Sequence, residues 1–155
     1  MNIFRSMDIS ASALTVQRFR MDIIGENLAN ATNTRTAEGG PYRRKHVRVE
    51  ERKVAPNSFA GHLQRVLGGA PTTAMLGGAR VVKVGEDPEH INPMRRVYDP
   101  AHPDADIDGY VLYPNVDIEK EMTDALVANR VYEANITMLN NFKSMALRAL
   151  DVGKG

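Results

Sequence analysis

Residues 2–30 read NIFRSMDISASALTVQRFRMDIIGENLAN, and the reading of this stretch decides the fold. It holds no proline, and Gly25 is its one poor residue for a helix interior. Met7, Leu14, Met21 and Leu28 recur every seven residues, with Ile3, Ile9, Val16, Ile23 and Ile24 beside them, which is the stripe of an amphipathic helix. Such a helix is about 40 Å long at 1.5 Å per residue. That is more than a small domain covers, so the stripe calls for a partner helix in this chain or another.

Working outward, the pattern stops at Asn30-Ala31-Thr32-Asn33-Thr34, whose short polar side chains bond local backbone in competition with the helix. Gly39-Gly40-Pro41 then turns the chain. Residues 42–53 alternate Val47 and Val49 with Arg48 and Glu50, the period-two pattern of an exposed strand, and a second strand is expected at 79–84. Between them, 55–78 is punctuated by Pro56, Gly61, Gly68, Gly69, Pro71, Gly77 and Gly78 and reads as a mobile loop with a short helix around 62–67. Pro88, Pro93, Pro100, Pro103 and Pro114 exclude a continuous helix over 85–114 and predict an extended segment with turns.

After Pro114 the composition changes. Asn115 or Asp117 can cap a second long helix, and Asp117, Glu119 and Glu121 place negative charge near its N-terminus, where the dipole favours it. Alternate steps of four and three from Ile118 give Met122, Ala125, Asn129, Tyr132, Ile136, Leu139, Lys143, Ala146 and Leu150, a coiled-coil-like seam. Its polar members, Asn129 and Lys143, can fix register at some cost in stability. This helix is predicted to run to about Asp151 and end near Gly153. The expected fold is mainly α with a small β-rich insertion. Long N- and C-terminal helices pair as a coiled-coil-like core around a middle domain of short strands and loops. The expected divisions are 1–34 as an N-terminal assembly helix, 35–114 as the middle domain and 115–155 as a C-terminal assembly helix.

Composition narrows function. The chain has no cysteine, so it has no disulfide framework, thiolate metal site or cysteine nucleophile. No apolar run approaches the roughly 20 residues of a membrane span. Arg5, Asp8, Arg18, Arg20 and Asp22 interrupt every candidate core of a signal peptide. Net charge is +1, which argues against general nucleic-acid binding, although basic residues gather at Arg43, Arg44, Lys45, Arg48, Arg52 and Lys53 and acidic ones from Glu86 to Asp124. Each cluster is either a solvated face or one half of a subunit-to-subunit charge match.

Asp104-Ala105-Asp106-Ile107-Asp108-Gly109 reproduces the opening of a calcium loop, yet its twelfth position is Asn115 where a bidentate Glu is required. A turn bonded through Asp side chains is the preferred reading. His46, His62, His90 and His102 lack metal-ligand spacing, and no nucleophile elbow, phosphate loop or dinucleotide fingerprint occurs. No catalytic residue, metal or cofactor is therefore expected. The competing readings are a metal-dependent site at the Asp-rich turn with His102, and a membrane or nucleic-acid surface at residues 43–53. The latter lacks stacking aromatics beyond Tyr42.

Ser12-Ala13-Leu14 with Asn27-Leu28-Ala29-Asn30-Ala31-Thr32-Asn33-Thr34 resembles the N-terminal signature of bacterial flagellar rod, hook and hook-associated axial proteins. Thr36-Ala37-Glu38-Gly39-Gly40-Pro41-Tyr42-Arg43-Arg44, the stretch from Tyr98-Asp99-Pro100 to Gly109-Tyr110-Val111, and Tyr113-Pro114-Asn115-Val116 resemble more narrowly the FlgC family of proximal-rod proteins. Glu121-Met122, Asn129-Arg130-Val131-Tyr132-Glu133-Ala134-Asn135 and Lys143-Ser144-Met145 are similar to that family's C-terminal region. The resemblance implies a periplasmic rod subunit of the flagellar basal body, exported by the flagellar type III apparatus without signal cleavage. Stacked helically, it would transmit motor torque and enclose the export channel. The implied neighbours are FlgB-like, FlgF-like and FlgG-like rod subunits and a FliE-like adaptor at the rod base. The residues expected at the assembly interface are Leu14, Met21, Ile24, Asn27, Leu28, Asn30, Met122, Tyr132, Asn135, Ile136, Leu139 and Leu150.

Overall fold

In the computed structural model, which describes residues 3–53, 66, 76–87 and 93–153, the proline-free opening forms one helix, α1 (Ile3–Ala29). It ends where side chains take over its hydrogen bonds. Asn30 Nδ2 donates to the Glu26 carbonyl at 2.9 Å, and Asn33 Nδ2 donates to Asn30 Oδ1 at 3.2 Å. Two strands, β1 (Lys45–Lys53) and β2 (Leu76–Glu86), pair as an antiparallel ribbon with Gly85 against His46 and Gly77 against Arg52. A hairpin follows, with β3 (Arg95–Tyr98) antiparallel to β4 (Tyr110–Tyr113) and Val97 opposite Val111. The chain then enters α2 (Ile118–Val152), 35 residues long. Asp117 is its cap, accepting the Lys120 N–H at 3.2 Å, while Asn115 bonds elsewhere.

The fold is two long terminal helices packed together with a small middle region of short antiparallel strands. Several expected boundaries move, each for a local reason. β1 starts at Lys45 rather than residue 42, because Tyr42 is buried and the Arg44 N–H is held by Asn115 Oδ1. β2 takes in Leu76, Gly77 and Gly78, part of the segment expected as a loop; Gly77 lies so close to the Arg52 carbonyl that only a residue without Cβ fits. The β3–β4 hairpin was not expected within a proline-rich stretch. Pro100 and Pro103 lie in its connection and Pro93 and Pro114 flank it, so no proline interrupts the ladder. The expected helix at 62–67 falls outside the described residues apart from Val66, which is helical and exposed.

The α2 seam also needs correction. The residues it turns inward are Glu121, Ala125, Ala128, Tyr132, Asn135, Leu139, Phe142 and Ala146, all buried or half-buried. Ala125, Tyr132, Leu139 and Ala146 were in the expected seam. Met122, Asn129, Ile136 and Lys143 are exposed, displaced by the residues immediately before them. Apolarity misled here, since Glu121 is buried with one oxygen paired to Arg44 and the other bonded by Asn27, and Asn135 donates to its own helix at the Val131 carbonyl, 3.0 Å away.

The chain forms two compact units. One comprises residues 17–48 and 83–130, with Ile24, Tyr42, Val111 and Ala128 among its buried apolar side chains. The other comprises residues 1–16, 49–82 and 131–155. In it, Gly78 (φ +97) lies against Ser12, whose Oγ accepts the Ala79 N–H at 3.0 Å and donates to the Ile9 carbonyl at 2.7 Å. Asp8 and Arg52 form an ion pair beside this joint.

The two helix-associated glycine positions should behave oppositely. Gly78→Ala adds a Cβ that collides with Ser12 at a left-handed backbone position, so it should lower unfolding free energy by about 1–3 kcal/mol. Gly25→Ala meets no atom within 4 Å and should raise it by up to about 1 kcal/mol. Urea unfolding of the purified subunit measures both.

Candidate functional site

The last turn of α1, the start of β1 and the first turn of α2 meet through side chains that are polar rather than apolar. Asn27, 1% exposed, uses the full capacity of its amide. Its Oδ1 accepts from the Tyr42 hydroxyl and from the Lys45 N–H, both at 2.9 Å. Its Nδ2 donates to the Lys45 carbonyl at 2.8 Å and to Glu121 Oε2 at 3.1 Å. Asn27 therefore binds the backbone of Lys45 at both its N–H and its C=O, as a neighbouring strand would.

Glu121 is 0% exposed, and a carboxylate so placed needs full compensation for lost hydration. Arg44 supplies it. Nε and Nη2 of Arg44 reach Glu121 Oε1 at 2.7 and 2.6 Å, and Asn27 serves the other oxygen. Arg44 Nη1 also donates to Asp87 Oδ2 at 3.2 Å, and Asp87 Oδ1 lies 2.9 Å from His46 Nδ1. Backbone bonds close the cluster: Arg44 N–H to Asn115 Oδ1 and Asp87 N–H to the Arg44 carbonyl, each at 2.9 Å. Burial by itself would depress the Arg44 pKa, but hydrogen bonds and charge from Glu121 and then Asp87 outweigh it and hold the guanidinium above its ordinary value. Tyr42 is pushed up to about 12, by burial first and then by the charges of Glu26, Glu121 and Glu86, against the opposing Arg44.

The Asp-rich turn is bound up locally. Asp104 Oδ2 accepts the Thr34 hydroxyl at 2.8 Å, Asp106 Oδ1 accepts the Ile107 N–H at 2.8 Å, and His102 Nδ1 accepts the Asp104 N–H at 3.1 Å. Gly109 (φ +78) closes the turn by donating to the Asp106 carbonyl. Among the described residues no three His, Asp or Glu side chains converge as metal ligands would.

The residues expected at an assembly interface fall into three groups. Ile24 and Asn27 are buried within the chain. Leu14, Met21, Asn30, Tyr132, Asn135 and Leu139 are half-buried. Leu28, Met122, Ile136 and Leu150 are exposed, Leu28 at 40% and Leu150 at 64%. Tyr42, Arg44, Asp87, Asn115 and Glu121 were not singled out as site residues. The available signal was Glu121 itself, a charge on the same helical line as Ala125, Ala128 and Tyr132.

Paired terminal helices, joined by a polar interlock whose groups bond one another and carrying large apolar residues that still face solvent, define a structural assembly subunit. Comparison with known proteins gives the family. The profile described as "Flagellar basal body rod FlgEFG protein C-terminal" matches residues 107–152. The chain is 43% identical to the flagellar basal-body rod protein FlgC of Bacillus subtilis (strain 168), over 99% of this chain and 100% of that one. It is 38% identical to FlgC of Borreliella burgdorferi over the full length of both, and 40% identical to FlgC of Escherichia coli O157:H7 over 99% of this chain and 98% of that one. The chain belongs to the FlgC family of flagellar basal-body rod proteins. It is a structural subunit of the rod, not an enzyme, and no helix among the described residues is long and apolar enough to cross a membrane.

Asn27→Ala removes a partner from the Tyr42 hydroxyl, from both backbone groups of Lys45 and from Glu121, and should cost about 3–5 kcal/mol in urea unfolding. Because the folded-state pKa of Tyr42 lies above its ordinary value of 10.0, the native state holds that proton more tightly. The resulting stability is complete below pH 10 and is lost as pH rises toward about 12. Tyr42→Phe should flatten the stability profile across that window and cost about 1 kcal/mol below it.

Proposed function

We propose that this subunit occupies the cell-proximal part of the rod and stacks helically there, with the outward apolar residues of its terminal helices covered by neighbouring subunits. The observation that carries the reading is the set of large apolar side chains on α2 that face solvent: Ile118, Met122, Leu126, Val127, Val131, Ile136, Met138, Met145, Leu147 and Leu150. Ile118, Met122, Leu126, Ile136 and Leu147 follow one flank of the helix and Val127, Val131, Met138 and Met145 the other, and apolar runs of this kind mark interaction surfaces. Residues 1–34 and 115–155 act as the assembly helices, and 35–114 as the small outward domain. Leu14, Met21, Ile24, Asn27, Leu28, Asn30, Met122, Tyr132, Asn135, Ile136, Leu139 and Leu150 form or support the packed contacts.

Similarity to FlgC proteins along the whole chain supports the further particulars. The neighbours are FlgB-like, FlgF-like and FlgG-like rod subunits and a FliE-like adaptor at the base. Subunits leave through the flagellar type III apparatus without signal cleavage, and the assembled shaft transmits torque in the periplasm while enclosing the export channel. A chain without cysteine suits this route, because it crosses an oxidising space unfolded without mispairing.

Leu28→Asp or Ile136→Asp should abolish incorporation into the rod and swimming while leaving export intact. Each native side chain contributes roughly 1.5–3 kcal/mol on burial, and a carboxylate in its place must be desolvated without a partner. A repeating assembly multiplies that penalty along its length. Arg48→Ala, on the ribbon, should be tolerated. Motility of strains carrying only the substituted subunit, with basal bodies inspected by electron microscopy, checks this; normal swimming of Leu28→Asp and Ile136→Asp strains would refute it.

A further inference from the structure

The connection between β3 and β4 contains a histidine whose ring takes part in the hydrogen bonding of the backbone. His102 Nδ1 accepts the Asp104 N–H at 3.1 Å. The main chain of His102 is held as well: its N–H donates to the Asp99 carbonyl at 3.2 Å, and its carbonyl accepts the Ala105 N–H at 3.1 Å. The residue is half-buried, and its ring meets Tyr113 edge to face at 6.2 Å between centroids. Main-chain bonds and the Tyr113 ring together set where the imidazole lies relative to the Asp104 amide.

A ring nitrogen that accepts an N–H carries no proton, so this geometry assigns the neutral imidazole with its proton on Nε2. A second proton can go only to Nδ1, the atom that already faces the Asp104 N–H. Protonation of the ring and the bond to Asp104 therefore exclude each other. Histidine is the side chain whose ordinary charge change falls between about pH 5 and 8. The bond belongs to the neutral ring and is lost on acidification.

Asp104 is also the point at which this turn holds a distant part of the chain. Its Oδ2 accepts the Thr34 hydroxyl at 2.8 Å, and its Oδ1 lies 3.6 Å from Arg35 Nη1, which ties the loop after α1 to the hairpin connection. The charged and titratable groups around the ring are the carboxylates of Asp99, Asp104, Asp106 and Asp108 in the turn, Arg35 of that loop, Tyr113 of β4, and Arg95 of β3, whose guanidinium lies 5.5 Å from the Tyr113 centroid. The carboxylates favour an imidazolium and the guanidinium groups oppose it; neither offers the Asp104 N–H a new acceptor in place of Nδ1.

We propose that His102 is a pH-operated latch. The neutral ring holds the Asp104 amide so that the Asp104 carboxylate reaches Thr34 and Arg35; the protonated ring releases that amide and slackens the loop after α1. The latch does not depend on the assembly reading, and its failure would leave that reading standing.

Nuclear magnetic resonance of the full-length subunit tests each part. At about pH 8 the His102 ring should show a bare Nδ1 and a protonated Nε2. On titration to about pH 5 the amide signals of Asp104, Thr34 and Arg35 should move together with the His102 ring. Over the same range the hydrogen-exchange protection of the Asp104 amide, corrected for the intrinsic effect of pH, should fall about tenfold. His102→Asn keeps an acceptor at the same reach without a titrating ring, because an Asn side chain bonds the N–H two residues on, as Asp99 Oδ1 does with the Ala101 N–H at 3.2 Å. In that variant Asp104 should stay protected and all three amides should be flat with pH. A proton on Nδ1 at about pH 8, or protection that changes less than about twofold, would overturn the proposal. So would Thr34 and Arg35 amides that ignore the His102 titration, or a pH response that persists in His102→Asn.

Discussion

A carboxylate with no access to water, Glu121, is the constraint around which the joint between the helices is built. Removing such a group from solvent costs several kcal/mol unless charged and hydrogen-bonding partners are already in place. The first turn of α2 can therefore settle only where the Arg44 guanidinium and the Asn27 amide converge. Apolar packing tolerates sliding by a residue or a turn; this arrangement does not, because a shift strands a buried charge. Asn27 then fixes the entry of β1 by binding both backbone groups of Lys45, and Asn115 fixes the linker into α2 through the Arg44 N–H. Segments far apart in sequence are thus tied at one point.

The inner line of α2 explains why such a joint is needed. Three of its positions are alanines, Ala125, Ala128 and Ala146, while larger residues such as Met122, Leu126, Met138 and Met145 face outward. Small side chains let a helix approach closely but bury little area, and hydrophobic stabilisation scales with that area. Much of the apolar surface of this subunit is left over from its own fold. The polar interlock fixes where the first turn of α2 meets α1 and β1, and the outward residues are the ones we propose for contacts with neighbours in the rod.

The long elements were legible because their signals are local and periodic. Absence of proline over 2–30 and the cap at Asp117 place both helices to within a residue or two. The inward face of α2 was not legible, since reading by apolarity selects Met122 and Ile136 over Glu121 and Asn135. What buries Glu121 is a residue 77 positions earlier, and no window along the chain contains both. The β3–β4 hairpin was hidden for a related reason. Its prolines were counted against regular structure, yet all of those described lie in its connection or at its ends. Asn27 stood out through its place in a stretch that resembles a family motif, and only in the fold does its amide bind Tyr42, Lys45 and Glu121 together.

A double-mutant cycle on Arg44→Met and Glu121→Gln in the isolated subunit tests the interlock most directly. Each single substitution should cost about 2–5 kcal/mol, because it leaves a desolvated group without its main partner. The double variant should cost little more than the worse single one, giving a coupling energy of about 2 kcal/mol or more. Additive single effects would contradict the account and leave the helices joined by something other than this buried pair.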